Sequence, residues 1–393
     1  MLKLPLRFTL LAILSAAGTV FSQTPETKGA RGPGRVGGAT PVSEPPLQWH
    51  DVTQWGVEGR AWPDLERKGW FDRLPAVAEG KVTEAVYELG RDPCGMMVRF
   101  RTDADQIWVD YTLRNDRVEG TVSFRMGASV SSVGGSGVDL YARDEAGQWR
   151  WVTVVRPTNR KIIRQALITD LPPGSREYAL YLPLYNGVDN FALGVPTTTK
   201  FERLAPRKAK PLVFYGTSIV HAVGASRPGM AHTAILGRRL ELPVINLGFA
   251  GNGRMDPAVG DLLVKIDAAV YVIDCLPNMN AAAVRERCIP LVKQLRLARP
   301  DTPIVLAEDR RYPNTWIQPK RSQANDENHA ALREVFATLQ KEGVPGLYYV
   351  PGDDMLGHDG EGSTDGIHPN DIGYVRQADL FEPILRAALG LRR

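Results

Sequence analysis

A chain of 393 residues with 43% hydrophobic and 23% charged residues is long enough for two domains and too apolar to be intrinsically disordered. Of its formal charge of +4, the first 46 residues hold +3, through Lys3, Arg7, Lys28, Arg31 and Arg35 against Glu26 and Glu44. The remainder is nearly neutral, so a basic face for nucleic acid is not expected.

Met1–Arg7 carries two positive charges, Phe8–Phe21 is an apolar run of 14 residues, and Val20-Phe21-Ser22 places small residues before Gln23 as a signal peptidase requires. Residues 1–22 therefore read as a signal peptide, and the protein as secreted or periplasmic. The apolar run is shorter than the ~20 residues of a spanning helix, and no later stretch is long enough, so no membrane span is expected after cleavage. Residues 23–46, rich in Gly, Pro, Thr and Ser without apolar periodicity, read as a flexible linker.

From 47 to 205 the texture is one of short alternating runs between turn residues. Gly95–Arg101, Gln106–Leu113, Val122–Met126, Arg150–Val155 and Glu177–Leu182 predict strands of an all-β sandwich or jelly roll. Seven tryptophans (Trp49, Trp55, Trp62, Trp70, Trp108, Trp149, Trp151) suit either core packing, the reading favoured here, or a sugar-stacking face. From 210 to 393 apolar runs alternate with helical patterns. Strands are predicted over 212–215, 244–247, 268–273, 303–307 and 347–350, and helices over 232–240, 257–266, 281–298, 323–342 and 371–389. That alternation is the mark of an α/β fold on a doubly wound parallel sheet.

Two stretches carry chemistry. Val213–Tyr215 ends at Gly216-Thr217-Ser218, which sets Ser218 where a buried strand hands over to a helix, and ligands of parallel sheets bind beyond such strand ends. A serine needs a base, and the base needs an orienting group. Asp365 and His368, three residues apart in Asp365-Gly366-Ile367-His368, can supply both. Arg227 and Glu308 are further candidates for contact with substrate, while His221, His232, Asp309 and Arg310 admit either site or packing roles. The acidic residues around His358 fit no metal motif, and no metal or cofactor is expected. Gly248–Gly253 lacks the Lys-Ser/Thr of a phosphate loop. Cys94, Cys275 and Cys288 cannot all pair; Cys275 with Cys288, or three free thiols, are both open.

These blocks resemble the SGNH (GDSL-type) hydrolase family. Gly216-Thr217-Ser218 resembles its nucleophile block, Asn246–Gly251 its second block, Leu276-Pro277-Asn278-Met279 its third, and Asp365–His368 its last. Gly137-Val138-Asp139-Leu140-Tyr141 resembles the Gly-x-Asp-Leu-Tyr signature of a β domain that precedes some secreted members. The resemblance implies a flavodoxin-like three-layer domain behind the β domain. It also implies a Ser218-His368-Asp365 triad and an oxyanion hole of the Ser218 N–H, the Gly251 N–H and the Asn278 amide. Thr217 and Met279 stand where the family has acidic residues, so substrate preference does not carry over. The expectation is a serine esterase acting on a small-molecule or polysaccharide ester, foremost an O-acetyl carbohydrate. A lipid-like acyl ester, or a carbohydrate-binding protein with a silent hydrolase domain, are the alternatives.

Overall fold

Alternation with a period of two decides the N-terminal architecture in the computed structural model, which describes residues 44–115, 129–157 and 161–391. The expected signal peptide, the linker through residue 43 and the strand expected over Val122–Met126 lie outside those residues. The first part contains β1 (Leu47–Asp51), β2 (Met97–Thr102), β3 (Ile107–Leu113), β4 (Asp139–Arg143), β5 (Trp149–Val154), β6 (Ile162–Ile168), β7 (Arg176–Tyr181), β8 (Val188–Pro196) and β9 (Phe201–Leu204), with short helices α1 (Glu84–Leu89) and α2 (Ser132–Ser136). They form two antiparallel sheets, ordered β1-β8-β3-β6 and β5-β4-β7-β2-β9. Val98 and Phe100 of β2, Val109 and Tyr111 of β3, Leu140 of β4, Leu180 of β7 and Leu193 of β8 meet in one buried cluster between the sheets. This is the sandwich that the strand pattern predicts.

The second part contains β10 (Leu212–Gly216), β11 (Val244–Gly248), β12 (Val270–Asp274), β13 (Ile304–Ala307) and β14 (Leu347–Val350), with α3 (His232–Arg239), α4 (Pro257–Leu263), α5 (Ala281–Ala298), α6 (Pro319–Lys341) and α7 (Asp371–Ala388). The strands are all parallel and ordered β11-β10-β12-β13-β14, the flavodoxin-like order. Successive side chains point to opposite faces. Leu212 and Phe214 pack with Leu236 of α3 and Phe381 of α7. Val213 and Tyr215 face the other way, toward Leu262 of α4, Leu291 of α5 and Leu332 of α6.

Sandwich and parallel sheet share a core, since Trp62, Leu74, Tyr181 and Tyr185 belong to the same buried cluster as Val213, Ile245 and Phe249. Trp62 donates its indole N–H to the Leu262 carbonyl at 3.0 Å. Arg73, fully buried, donates to the carbonyls of Asn246 and Gly248 at the end of β11, both at 2.9 Å, and to that of Leu89 at 2.6 Å. Of the sandwich tryptophans, Trp62 and Trp108 are buried and Trp149 lies under the Arg143 guanidinium, whereas Trp151 is half exposed. The three cysteines are buried free thiols, so the Cys275–Cys288 pair is not formed. Among the described residues no helix is long and apolar enough to cross a membrane.

At the end of β12 the buried Asp274 carboxylate takes both terminal nitrogens of the buried Arg310, which follows β13 and also donates to Gln377 at 2.7 and 3.0 Å. Removing one member of such a pair strands a charge in the core. Asp274→Ala should therefore lower the unfolding free energy by about 3–5 kcal/mol, whereas Asp274→Leu combined with Arg310→Met should recover much of that loss; urea unfolding of the three proteins checks both.

Candidate active site

The parallel register brings the site blocks together. Gly216 pairs with Gly248 on one side and with Asp274 on the other, so β10, β11 and β12 end at one level. The loops that carry Ser218, Gly251 and Asn278 leave from that level as neighbours. Contact between the first two is tight: a Cβ on Gly253 would lie 1.9 Å from the Gly216 carbonyl oxygen, so only glycine lets the second loop close over the first.

After β10 the chain turns at once. The His221 N–H donates to the Thr217 carbonyl and the Val223 N–H to that of Ser218, each at 3.0 Å, and then Ala222 (φ 66°) and Gly224 (φ 88°) break the turn. The helix expected over 232–240 follows as α3, from His232. Ser218 is 6% exposed.

Its Oγ lies 3.0 Å from Nε2 of His368, and Nδ1 of His368 lies 2.7 Å from Oδ2 of Asp365. A carboxylate only accepts, so Nδ1 carries the proton, and Nε2 is left to accept from the serine. Partial burial opposes the Asp365 charge. The His368 backbone N–H, the Ser129 hydroxyl and the His368 imidazole together outweigh that effect and hold the carboxyl well below the usual carboxylate range. Its Oδ1 accepts from the N–H groups of Ile367 and His368 at 3.0 and 2.8 Å.

Gly251 has φ 69°, and a Cβ there would meet nothing within 4 Å. Backbone conformation, not crowding, calls for glycine, and the residue borders open space. Asn278 follows β12 in a single 3₁₀ turn, Leu276–Asn278. Hydrogen bonding orients its amide: with the side-chain oxygen toward the Asn252 and Gly253 N–H groups, at 3.1 and 3.2 Å, the NH₂ group is free to donate. An amide so held is suited to meeting an anion that forms later. The Thr217 hydroxyl, one departure from the family pattern, accepts from the Ile219 N–H at 3.3 Å and so serves local structure; at the other, Met279, the backbone carbonyl accepts from Asn328 at 3.1 Å.

The two substrate-contact candidates are engaged elsewhere. Arg227 donates to the buried Asp139 of β4 at 2.8 Å and to the Tyr141 hydroxyl, and its guanidinium lies 5.2 Å from the Trp151 ring centroid. Asp139 also accepts from the Gly229 N–H and the Trp151 indole, at 2.8 and 2.9 Å. Gly137–Tyr141 is thus a latch between sandwich and sheet. Glu308 is buried among Tyr349, the Gly352 N–H and Arg333, at 2.6, 2.8 and 2.8 Å. His221 and His232 are core residues that burial holds neutral, the Arg73 charge adding to the effect on His221 and the Arg310 charge on His232.

Two residues near the site are not legible as such in the sequence. Ser129, on the sandwich side, donates to Asp365 Oδ2 at 2.6 Å. Trp316, 82% exposed, lies in the loop after β13, where Asn314 reaches within 3.3 Å of a Cβ placed on Gly366. Ser129 sits eight residues before the Gly137 signature, but nothing in its neighbours marks it.

Residues 209–386 match the family described as GDSL-like lipase/acylhydrolase, and residues 47–201 match the N-terminus of SGNH-hydrolase-type esterases. The chain belongs to the SGNH (GDSL-type) hydrolases. It is an ester-hydrolysing enzyme. A protein from Bacteroides ovatus described as a GDSL-like lipase is 28% identical, with a TM-score of 0.81 over 88% of this chain and 99% of that one. A salicylyl-acyltransferase from a tetracycline biosynthetic pathway shares the fold at 18% identity and a TM-score of 0.66, over 89% of this chain and 97% of its own. So does an acetyl xylan esterase from Butyrivibrio proteoclasticus, at 11% identity and 0.54, over 88% and 99%. No curated protein matches the chain.

Two outcomes are expected. Asn278→Ala should lower kcat by about 10²–10³ with little change in KM, read from steady-state kinetics on an activated ester. Because Asp365 stays ionised, it should add no step to the acid side of the kcat/KM profile; an acid-side ionisation in the ordinary carboxylate range would contradict this.

Proposed function

We propose that Ser218, His368 and Asp365 are the catalytic triad of a secreted carbohydrate O-acetylesterase, with the Ser218 and Gly251 N–H groups and the Asn278 amide as oxyanion hole. The observation that carries the triad is the unbroken relay from Ser218 Oγ to His368 Nε2 at 3.0 Å and from His368 Nδ1 to Asp365 Oδ2 at 2.7 Å.

Ser218 Oγ adds to the ester carbonyl carbon while its proton passes to His368 Nε2. The negative oxygen settles on the three donors. Collapse breaks the bond to the alkoxy oxygen, which leaves as the alcohol with the proton from His368. Water then repeats the sequence on the acyl-Ser218 ester, releasing acetate and restoring the hydroxyl. Asp365 keeps His368 in the productive tautomer throughout.

Three features support the substrate class and the location. The fold is shared with an acetyl xylan esterase. Exposed Trp316 and Ile317 stand on the loop beside Gly366, where an aromatic face suits a sugar ring. Residues 1–22 have the composition of a signal peptide, followed by a linker to 46, with the sandwich over 47–205 and the hydrolase domain over 210–393 as the two working parts. The likeness to a protein described as a GDSL-like lipase favours one second reading, a longer-chain acyl ester.

Acetate release from acetylated polysaccharide, measured beside hydrolysis of 4-nitrophenyl acetate, butyrate and octanoate, separates the readings. Acetate-selective turnover that Ser218→Ala lowers by about 10⁴ or more is expected. A preference for octanoate would replace sugar acetate by a lipid-like ester, and turnover that survives Ser218→Ala would overturn the triad.

A further inference from the structure

Asp365 holds one hydrogen bond that the relay by itself does not require. Oδ1 is occupied by two backbone N–H groups, and Oδ2 by His368 Nδ1. Oδ2 also accepts from Ser129 Oγ at 2.6 Å, across 236 residues of sequence. The carboxylate therefore has four donors, two on each oxygen, and one of them comes from the sandwich half.

The segment from Ser131 to Tyr141 anchors Ser129. Ser131 Oγ caps α2 by accepting from the Gly134 N–H at 2.9 Å, and donates to the Ser226 carbonyl at 2.9 Å. The carbonyls of Gly134 and Gly135 accept from the N–H groups of Leu184 and Tyr185, each at 3.1 Å. Farther on, the Asp139–Arg227 latch fixes β4 to the segment behind the nucleophile turn. Ser226 in turn donates to Asp371, through its N–H at 2.9 Å and through its hydroxyl at 2.5 Å, at the start of α7. The strap Ser129–Tyr141 is thus tied to both loops that carry the triad.

We propose that Ser129 is a positioning residue for hydrolysis, its hydroxyl holding the Asp365 carboxylate in the orientation that presents Oδ2 to His368. The proposal rests on the triad reading above. Its physical basis is that the Asp365 side chain is 30% exposed and sits beside Gly366 at φ 85°, so water competes for Oδ2 and the loop alone constrains the carboxylate weakly. A fixed neutral donor removes that freedom without adding charge, and small losses of alignment in a relay cost rate steeply. The β-sandwich half is on this account part of the catalytic machinery.

The test is steady-state kinetics on 4-nitrophenyl acetate for the full chain and for Ser129→Ala, Ser129→Thr, Asp365→Ala and the Ser129→Ala/Asp365→Ala pair, with Ser218→Ala as the blank. Ser129→Ala should lower kcat about 5–20-fold with KM within about twofold. Ser129→Thr, which keeps the hydroxyl, should recover most of the loss, and without Asp365 the Ser129→Ala change should matter less than about twofold. A neutral Ser129→Ala, an equal loss in both backgrounds, or no recovery by threonine would each overturn the proposal while leaving a Ser218-dependent enzyme standing. Turnover undiminished in Ser218→Ala would overturn the triad reading and this proposal together.

Discussion

The level ending of three parallel strands is the constraint on which the site depends. Because Gly216 pairs with both Gly248 and Asp274, the chain leaves β10, β11 and β12 at the same height. The next few residues of each then meet above the sheet edge, where backbone N–H groups are no longer used by the ladder. Ser218, Gly251 and Asn278 are separated by 33 and 27 positions in sequence, and strand register makes them neighbours. The last loop needs a different device, since Asp365 and His368 follow no strand directly. It is held by its own hydrogen bonds, by the start of α7, and from the other half of the protein by Ser129.

The sandwich is built into the hydrolase and not merely appended to it. Buried polar groups join the halves beside the shared apolar core. Arg73 lends its guanidinium to two carbonyls at the end of β11, and Asp139 takes Arg227, the Gly229 N–H and the Trp151 indole together. A buried charge left without partners is costly, so each of these residues fixes the relative placement of two segments far more sharply than apolar contact does. Arg227, held by Asp139, and Glu308, held by Tyr349 and Arg333, are already engaged and not free for substrate.

Much of this is legible in the sequence where local pattern and tertiary role coincide. All five parallel strands and their helices show as apolar runs and helical periodicity, and α5 falls on its expected limits, 281–298. In the sandwich, β8 escapes the pattern because Asp189, Asn190, Gly194 and Pro196 disfavour strand in isolation, and pairing with β1 and β3 overrides that preference. The edge strand β9 is only four residues long. Arg227 is open to misreading, because closeness to Ser218 in sequence says nothing of the direction in which a side chain leaves a loop. The partner of Asp139 is invisible from a motif alone. Ser129 is the extreme case, for one serine beside Asp365 looks like any other until the chain is folded.

The measurement that bears most directly on this account is mass spectrometry of the protein quenched in acid during turnover of 4-nitrophenyl acetate. An acyl-enzyme mechanism at Ser218 predicts a transient adduct of one acetyl group, mapped to the peptide that contains Gly216-Thr217-Ser218 and lost as substrate is exhausted. An adduct on any other residue, or steady turnover with the Ser218 peptide unmodified at every time point, would contradict it.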